Sequence, residues 1–264
     1  MENVRAWTWT ATFEDGVSGT RAYGTTGFNG VETGTRTYFS DAIAHTGSQS
    51  CLFSWLEDDE GYSTCTGHAV YPSPVDEGYG IWIRAYYYFD SPWDWTTNGT
   101  KIVRTHNRNA DTSHGLYNSI FSRGSGADDA PIRESSEPAV VDEETSSGYY
   151  FDRDVWQCIE MYVYNSSVVG NGIIRFWKNG VLILEDAGDD RTMLAAGGDT
   201  DFAFFMSTWN GGPVQNQLMY IDDIVITSNT PSNQDAYGNY MIGPTDWGSG
   251  TSISSPGNLT GTLQ

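Results

Sequence analysis

The chain has 264 residues, with 34 Asp and Glu against 13 Lys and Arg and a formal net charge of −21. That balance argues against nucleic acid as a partner, since most of the surface would repel phosphate. No stretch approaches the ~18 consecutive apolar residues of a membrane span. Aromatic residues make up 14% of the chain and Gly numbers 30, while long stretches of Ala, Leu, Glu and Lys at helical spacing are absent. This composition predicts short strands joined by Gly-rich and Asn-rich turns, an all-β protein.

A chain of this length can bury a substantial core, and all-β sandwiches of this size run as single units. The expected division is one domain over residues 1–227 and a strap or linker over residues 228–264 toward a further module. The acidity suits a secreted or extracellular monomer, with a virus-encoded product as the alternative.

Cys51 and Cys65 flank a short segment, Leu52 to Thr64, that reads as a hairpin, so they are the expected disulfide pair. Cys158 then stays a buried strand thiol. From Ile81 to Phe89 the residues alternate, with Ile81, Ile83, Ala85 and Tyr87 on one face and Trp82, Arg84, Tyr86 and Tyr88 on the other. The second face reads as a sugar-binding surface.

The segment Lys101 to Arg108 is the densest cluster of positive charge. As a strand it projects Arg104, His106 and Arg108 from one side, beside Lys101. A very acidic protein that gathers its scarce cations in one row offers an anion a local attractive field, whatever its net charge. The expected ligand is an acidic polysaccharide. The bland alternative is a sheet edge blunted by charge.

Further strands are predicted at Leu116 to Arg123, Val155 to Tyr164, Ile173 to Trp177, Val181 to Leu184, Phe202 to Thr208 and Tyr220 to Thr227. Asn179-Gly180 is a strong hairpin signal between the third and fourth of these runs. Gly124 to Ser147 reads as a long acidic loop, either a lid over the groove or a solvated excursion. Such a series of antiparallel strands makes two packed sheets, a β-jelly roll sandwich.

Thr12-Phe-Glu-Asp-Gly16, His45-Thr-Gly-Ser-Gln-Ser50, the run from Trp156 to Asn165, the run from Asn171 to Gly180, and Tyr220-Ile-Asp-Asp-Ile-Val-Ile226 carry a family resemblance. Together they resemble the framework of concanavalin A-like jelly-roll polysaccharide lyases, the alginate and glucuronan lyases of families fourteen and twenty. The resemblance spans Thr12 to Thr227. It implies a concave sheet that holds a polyuronate and cleaves it by β-elimination. It also implies a Lys in the strand beginning at Lys101, polar or Arg residues in the strand Tyr117 to Arg123, and a Tyr pair at Tyr149 and Tyr150. The Lys-Leu-Pro-Gly-type segment of family fourteen is replaced here by Lys101-Ile-Val-Arg-Thr-His106.

The chemistry needs a group to neutralise the uronate carboxylate, a base for the C5 proton and an acid for the leaving oxygen. Arg104 is assigned to the carboxylate, His106 or Tyr149 to the base, and Tyr150 or Lys101 to the acid. Arg84, Tyr86, Arg108, Asn118, Tyr162 and Trp209 are the expected substrate binders. His45 and His68, lacking cationic neighbours, are read as structural, and His114 as a loop residue. In similar jelly-roll modules an N-terminal Phe-Glu segment and an Asp of the last strand hold a structural Ca2+, which implies Glu14 and Asp223 here, from the pairs Glu14-Asp15 and Asp222-Asp223. No cofactor is expected for catalysis. A carbohydrate-binding or virion adhesion module using Trp82, Tyr86, Tyr162 and Trp209, and a jelly-roll glycoside hydrolase, are the other functional classes.

Overall fold

The structure is a computed structural model and describes residues 6–108, 116–124, 131–136, 145–187, 192–193 and 196–245. Among the described residues every regular element is a strand. They are β1 (Thr8–Ala11), β2 (Thr37–Ser40), β3 (Ser50–Trp55), β4 (Gly67–Asp76), β5 (Gly80–Phe89), β6 (Thr100–Arg108), β7 (Leu116–Ser122) and β8 (Pro131–Ser136). They continue with β9 (Thr145–Tyr150), β10 (Gln157–Tyr164), β11 (Ile173–Lys178), β12 (Val181–Ala187), β13 (Asp199–Trp209), β14 (Gln217–Thr227), β15 (Asn233–Gln234) and β16 (Tyr240–Met241).

Two antiparallel sheets pack face to face, as the all-β jelly-roll reading requires. One runs β12-β11-β10-β5-β14-β3-β2, with β1 added to β14, and the other runs β4-β13-β6-β7-β8-β9. The alternation in β5 works as read: Ile81, Ile83, Ala85 and Tyr87 all enter the core, where they join Ile102 and Val103 of β6 and Ala203 and Phe205 of β13. Asn179 and Gly180 both take positive φ, 50° and 79°, which is what a two-residue hairpin between β11 and β12 demands.

Several expectations are corrected. Cys51 and Cys65 are buried thiols, not a disulfide, and Cys65 Sγ–H donates to the Ser54 carbonyl at 3.0 Å. The segment between them is no hairpin, because β3 and β4 belong to different sheets. Cys158 is likewise buried, in β10. Within the long acidic segment, residues 131–136 form β8 and residues from Thr145 begin β9, so this part of it extends the six-stranded sheet.

The chain after Thr227 lies on the outer face of the eight-stranded sheet. Trp82 Nε1–H donates to the Tyr240 carbonyl at 2.9 Å, and Trp177 Nε1–H to Asp235 Oδ2 at 2.8 Å. Arg84 donates to the carbonyls of Gly243 at 3.2 Å and Asp223 at 3.0 Å. The Thr245 amide donates to Tyr86 Oη at 2.7 Å. Glu160 is buried beneath this strap and accepts the amides of Ile242 at 2.6 Å and Gly243 at 2.8 Å. Residues 246–264 lie outside the described residues.

Burial lifts the Glu160 carboxyl from its ordinary 4.5 to about 7, against the lowering pull of the two amides and Arg84. A carboxyl with a raised folded pKa binds its proton more tightly folded than unfolded. Its contribution is therefore full below the unfolded pKa and is lost as pH rises through about 7. Asp222, raised to about 7 by burial and by Asp223, acts in the same direction. The melting temperature should fall between about pH 5 and about pH 8, with Glu160 contributing on the order of 3 kcal/mol. Glu160→Gln should flatten that decline, and a variant curve parallel to wild type would refute the assignment.

Candidate active site

β6 lies inside the six-stranded sheet, between β13 and β7. Arg104, His106 and Arg108 project from its outer face while Thr105 and Asn107 turn inward, as alternation requires. A register shift between Lys101 and Val103 lets Ile102 and Val103 both enter the core, and this returns Lys101 to the outer row.

A second irregularity completes the row. In β13 the partners of Asn107 and His106 are Thr200 and Phe202, so Asp201 is an extra residue. Thr200 stays buried, and Asp201 turns to the outer face, where its Oδ1 lies 2.6 Å from His106 Nδ1. The His106 ring also stacks on Phe202, with centroids 4.2 Å apart and planes within 10°. In the neutral tautomer whose Nδ1–H donates to Asp201, Nε2 carries the lone pair.

Arg104 is 8% exposed and lies against aromatic rings. Its guanidinium carbon lies 4.1 Å from the Tyr117 ring centre and 5.5 Å from that of Phe204, and Nη2–H donates to Thr208 Oγ1 at 3.3 Å. Cation–π contact with these two ring faces fixes the orientation of the guanidinium. Arg108 differs: it is more than half exposed and pairs with Asp199 at 2.5 Å, which pushes its pKa up.

His68 of β4 belongs to the same face, although its sequence neighbours mark it as structural. It packs against Phe202 and Phe204, each with centroids 4.8 Å away, and accepts the Glu32 amide at Nδ1 at 3.3 Å. Burial holds its pKa down, the Glu32 and Asp201 carboxylates oppose that, and His106 adds to it. Tyr62 stands edge-on to Phe204 at 5.8 Å, is nearly half exposed, and donates to Glu32 Oε2 at 3.3 Å. Its phenol is pushed up by burial and by Glu32.

Five expected binders sit elsewhere. Arg84 and Tyr86 lie on the other sheet under the strap, and Tyr162 lies on that sheet too, against Trp82 and Arg175. Trp209 is fully buried among Trp55, Trp93 and Trp95. Asn118 pairs with Thr105 on the inner face and donates to the Thr192 carbonyl at 3.0 Å. Tyr149 and Tyr150 are exposed, but β7 and β8 intervene between β9 and β6, a separation of three strands or on the order of 14 Å. His114 falls outside the described residues.

Glu14 and Asp223, expected to bind Ca2+, both face the segment 45–49. Glu14 accepts the amides of Ser48 and Gln49 and the Ser48 hydroxyl; burial raises its pKa, but these donors together outweigh burial and leave it lowered. Asp223 accepts the Thr46 hydroxyl at 2.9 Å and meets His45 Nδ1 at 2.7 Å. Donors thus meet both carboxylates and tie the loop to them. Among the described residues no group of three or more His, Cys, Asp or Glu is placed to hold a metal.

No protein-family model matches the sequence, and no curated protein matches it. In three dimensions the chain is similar to the endo-β-1,4-glucuronan lyase of the fungus Trichoderma reesei, at 11% identity and a TM-score of 0.55, over 73% of this chain and 87% of that one. It is similar to a variant of alginate lyase Aly36B in complex with alginate trisaccharide, at 13% identity and a TM-score of 0.60, over 83% and 97%. It is also similar to alginate lyase vAL-1 from Chlorella virus, at 13% identity and a TM-score of 0.50, over 71% and 88%. The fold is that of the jelly-roll polysaccharide lyases, in agreement with the framework resemblance of the sequence.

The clamp makes a prediction about metal. If Glu14 and Asp223 are satisfied by the 45–49 segment alone, a chelator leaves the melting temperature unchanged. A fall on chelation that added Ca2+ reverses would place a stabilising ion there, because binding to the native state raises stability by mass action.

Proposed function

We propose that the protein is a polysaccharide lyase that cleaves an acidic polyuronate, of the alginate or glucuronan type, by β-elimination on the outer face of the six-stranded sheet. The observation that carries this reading is the placement of Arg104 and the His106–Asp201 pair on one face, two residues apart on one strand. A guanidinium next to an oriented imidazole is what the first step of elimination needs. The fold shared with glucuronan and alginate lyases supports it.

In this reading Arg104 meets the uronate carboxylate and stabilises the negative charge that grows on it as the C5 proton leaves. His106 takes that proton at Nε2, and Asp201 stabilises the imidazolium that forms. Electrons from the C5–H bond form the C4–C5 double bond, and the glycosidic C4–O bond breaks. The leaving oxygen takes a proton from Tyr62. Its raised pKa keeps that phenol protonated, which suits a donor and not a base, and its exposure gives it access to substrate. Lys101 and Arg108 flank the row and favour the neighbouring uronates of an anionic chain.

The test is to incubate the protein with alginate, glucuronan and pectate and follow the ultraviolet absorbance of unsaturated uronate ends. The expected result is new absorbance on at least one of them. Arg104→Ala should lower the rate by roughly 10² to 10³, equivalent to about 3 kcal/mol, with the melting temperature little changed. His106→Ala should cost roughly 10² to 10⁴, and Tyr149→Phe should leave the rate near wild type. New reducing ends without absorbance would mean hydrolysis, and binding without either would mean a non-catalytic module.

A further inference from the structure

A line of side chains crosses the outer face of the eight-stranded sheet beside Thr245, where the described part of the strap ends. The strand registers place Tyr38 of β2 opposite Leu52 of β3, Leu52 opposite Tyr220 of β14, and Tyr220 opposite Tyr88 of β5. Trp156 extends the line, its ring centre 5.6 Å from that of Tyr88, while the Tyr88 and Tyr220 centres are 6.1 Å apart. His45 closes this end, edge-on to Trp156 at 5.7 Å and stacked on Tyr86 at 3.5 Å.

Tyr38, Leu52, Tyr88 and Trp156 are each partly exposed, and Tyr220 lies buried between them. Solvent-facing positions of an antiparallel sheet ordinarily carry polar residues. A row of aromatic and apolar side chains at five successive positions is a departure that folding alone does not require. Aromatic rings with a wet edge are the side chains that stack on the apolar faces of sugars while their polar tips hydrogen-bond. Rungs repeat across strands at about 4.8 Å, close to the length of one pyranose in an extended chain, so the line offers stacking positions for about four sugars.

The electrostatics distinguish this surface from the groove. Burial, then Asp154 and Asp90, push the Tyr88 phenol up, and burial with Asp90 does the same to Tyr220. Carboxylates therefore border the line, and a polyanion is repelled where a neutral chain is not. We infer that the Tyr38–Leu52–Tyr220–Tyr88–Trp156 line is a second carbohydrate site, which binds an extended neutral β-linked glycan and takes no part in the chemistry of the groove. A protein with such a site would be anchored to a neutral polymer while its other face acts on an acidic one.

The experiment is co-sedimentation of the full chain with insoluble cellulose, xylan and mannan. Wild type should sediment with at least one, and Trp156→Ala and Tyr88→Ala should each lower the association constant about fivefold, since a stacking contact contributes on the order of 1 kcal/mol. Excess soluble alginate should not release the bound protein. If either alanine variant fails to fold, Tyr38→Ala and Leu52→Ala at the far end of the line should weaken binding instead. Failure of wild type to bind any of the three glycans, wild-type binding by folded variants, or release by alginate would each overturn the inference. None of these outcomes depends on whether the groove performs elimination.

Discussion

The contact between His106 Nδ1 and Asp201 Oδ1 is the one on which the proposed site depends, and it exists because β13 carries an extra residue. Without that bulge, strict alternation would put Asp201 on the face opposite Phe202, among core residues. With it, Asp201 and Phe202 both reach the imidazole, one through a hydrogen bond and the other through a stacked ring. A bulge that re-aims a side chain next to a site is a recurrent device of antiparallel sheets. Here the matching shift in β6 brings Lys101 into the same row.

The two sheets divide the work. The eight-stranded sheet has its outer face tied down by the strap, with Glu160, Arg84, Trp82 and Trp177 each bonded to it. Its inner face supplies half of the core. The six-stranded sheet lays Phe202, Phe204 and Tyr117 on its outer face, and these rings hold His68, His106 and Arg104 in place. Aromatic packing fixes these cationic groups on one face of the sheet. In a chain of net charge −21, gathering these cations on one face gives an anion a local attraction.

Period-two alternation made the fold legible. It predicted the core face of β5 and the outer row of β6, as the Asn-Gly turn signal predicted the hairpin at Asn179 and Gly180, because each depends only on neighbours in sequence. What alternation cannot report is which sheet a strand joins. Arg84, Tyr86 and Tyr162 face outward as their pattern says, but on the sheet that the strap covers. Trp209 sits past a register shift between Phe205 and Thr208 that sends it into the core. Tyr62, His68 and Asp201 were illegible for a related reason, since each reaches the site through a long-range pairing or a bulge. The Asp201-Phe-Ala-Phe204 run did carry a signal: two aromatics on one face preceded by an acid.

The central claim is that the uronate chain lies against His106 on the six-stranded sheet, and the imidazole resonances of the protein test it directly. The chain has four histidines, so His106 and His45 can be assigned from single variants. On titration with a short oligouronate, the account predicts that the His106 resonances shift in a saturable way while those of His45, on the opposite sheet, stay fixed. Movement of His45 with His106 unaffected would contradict it.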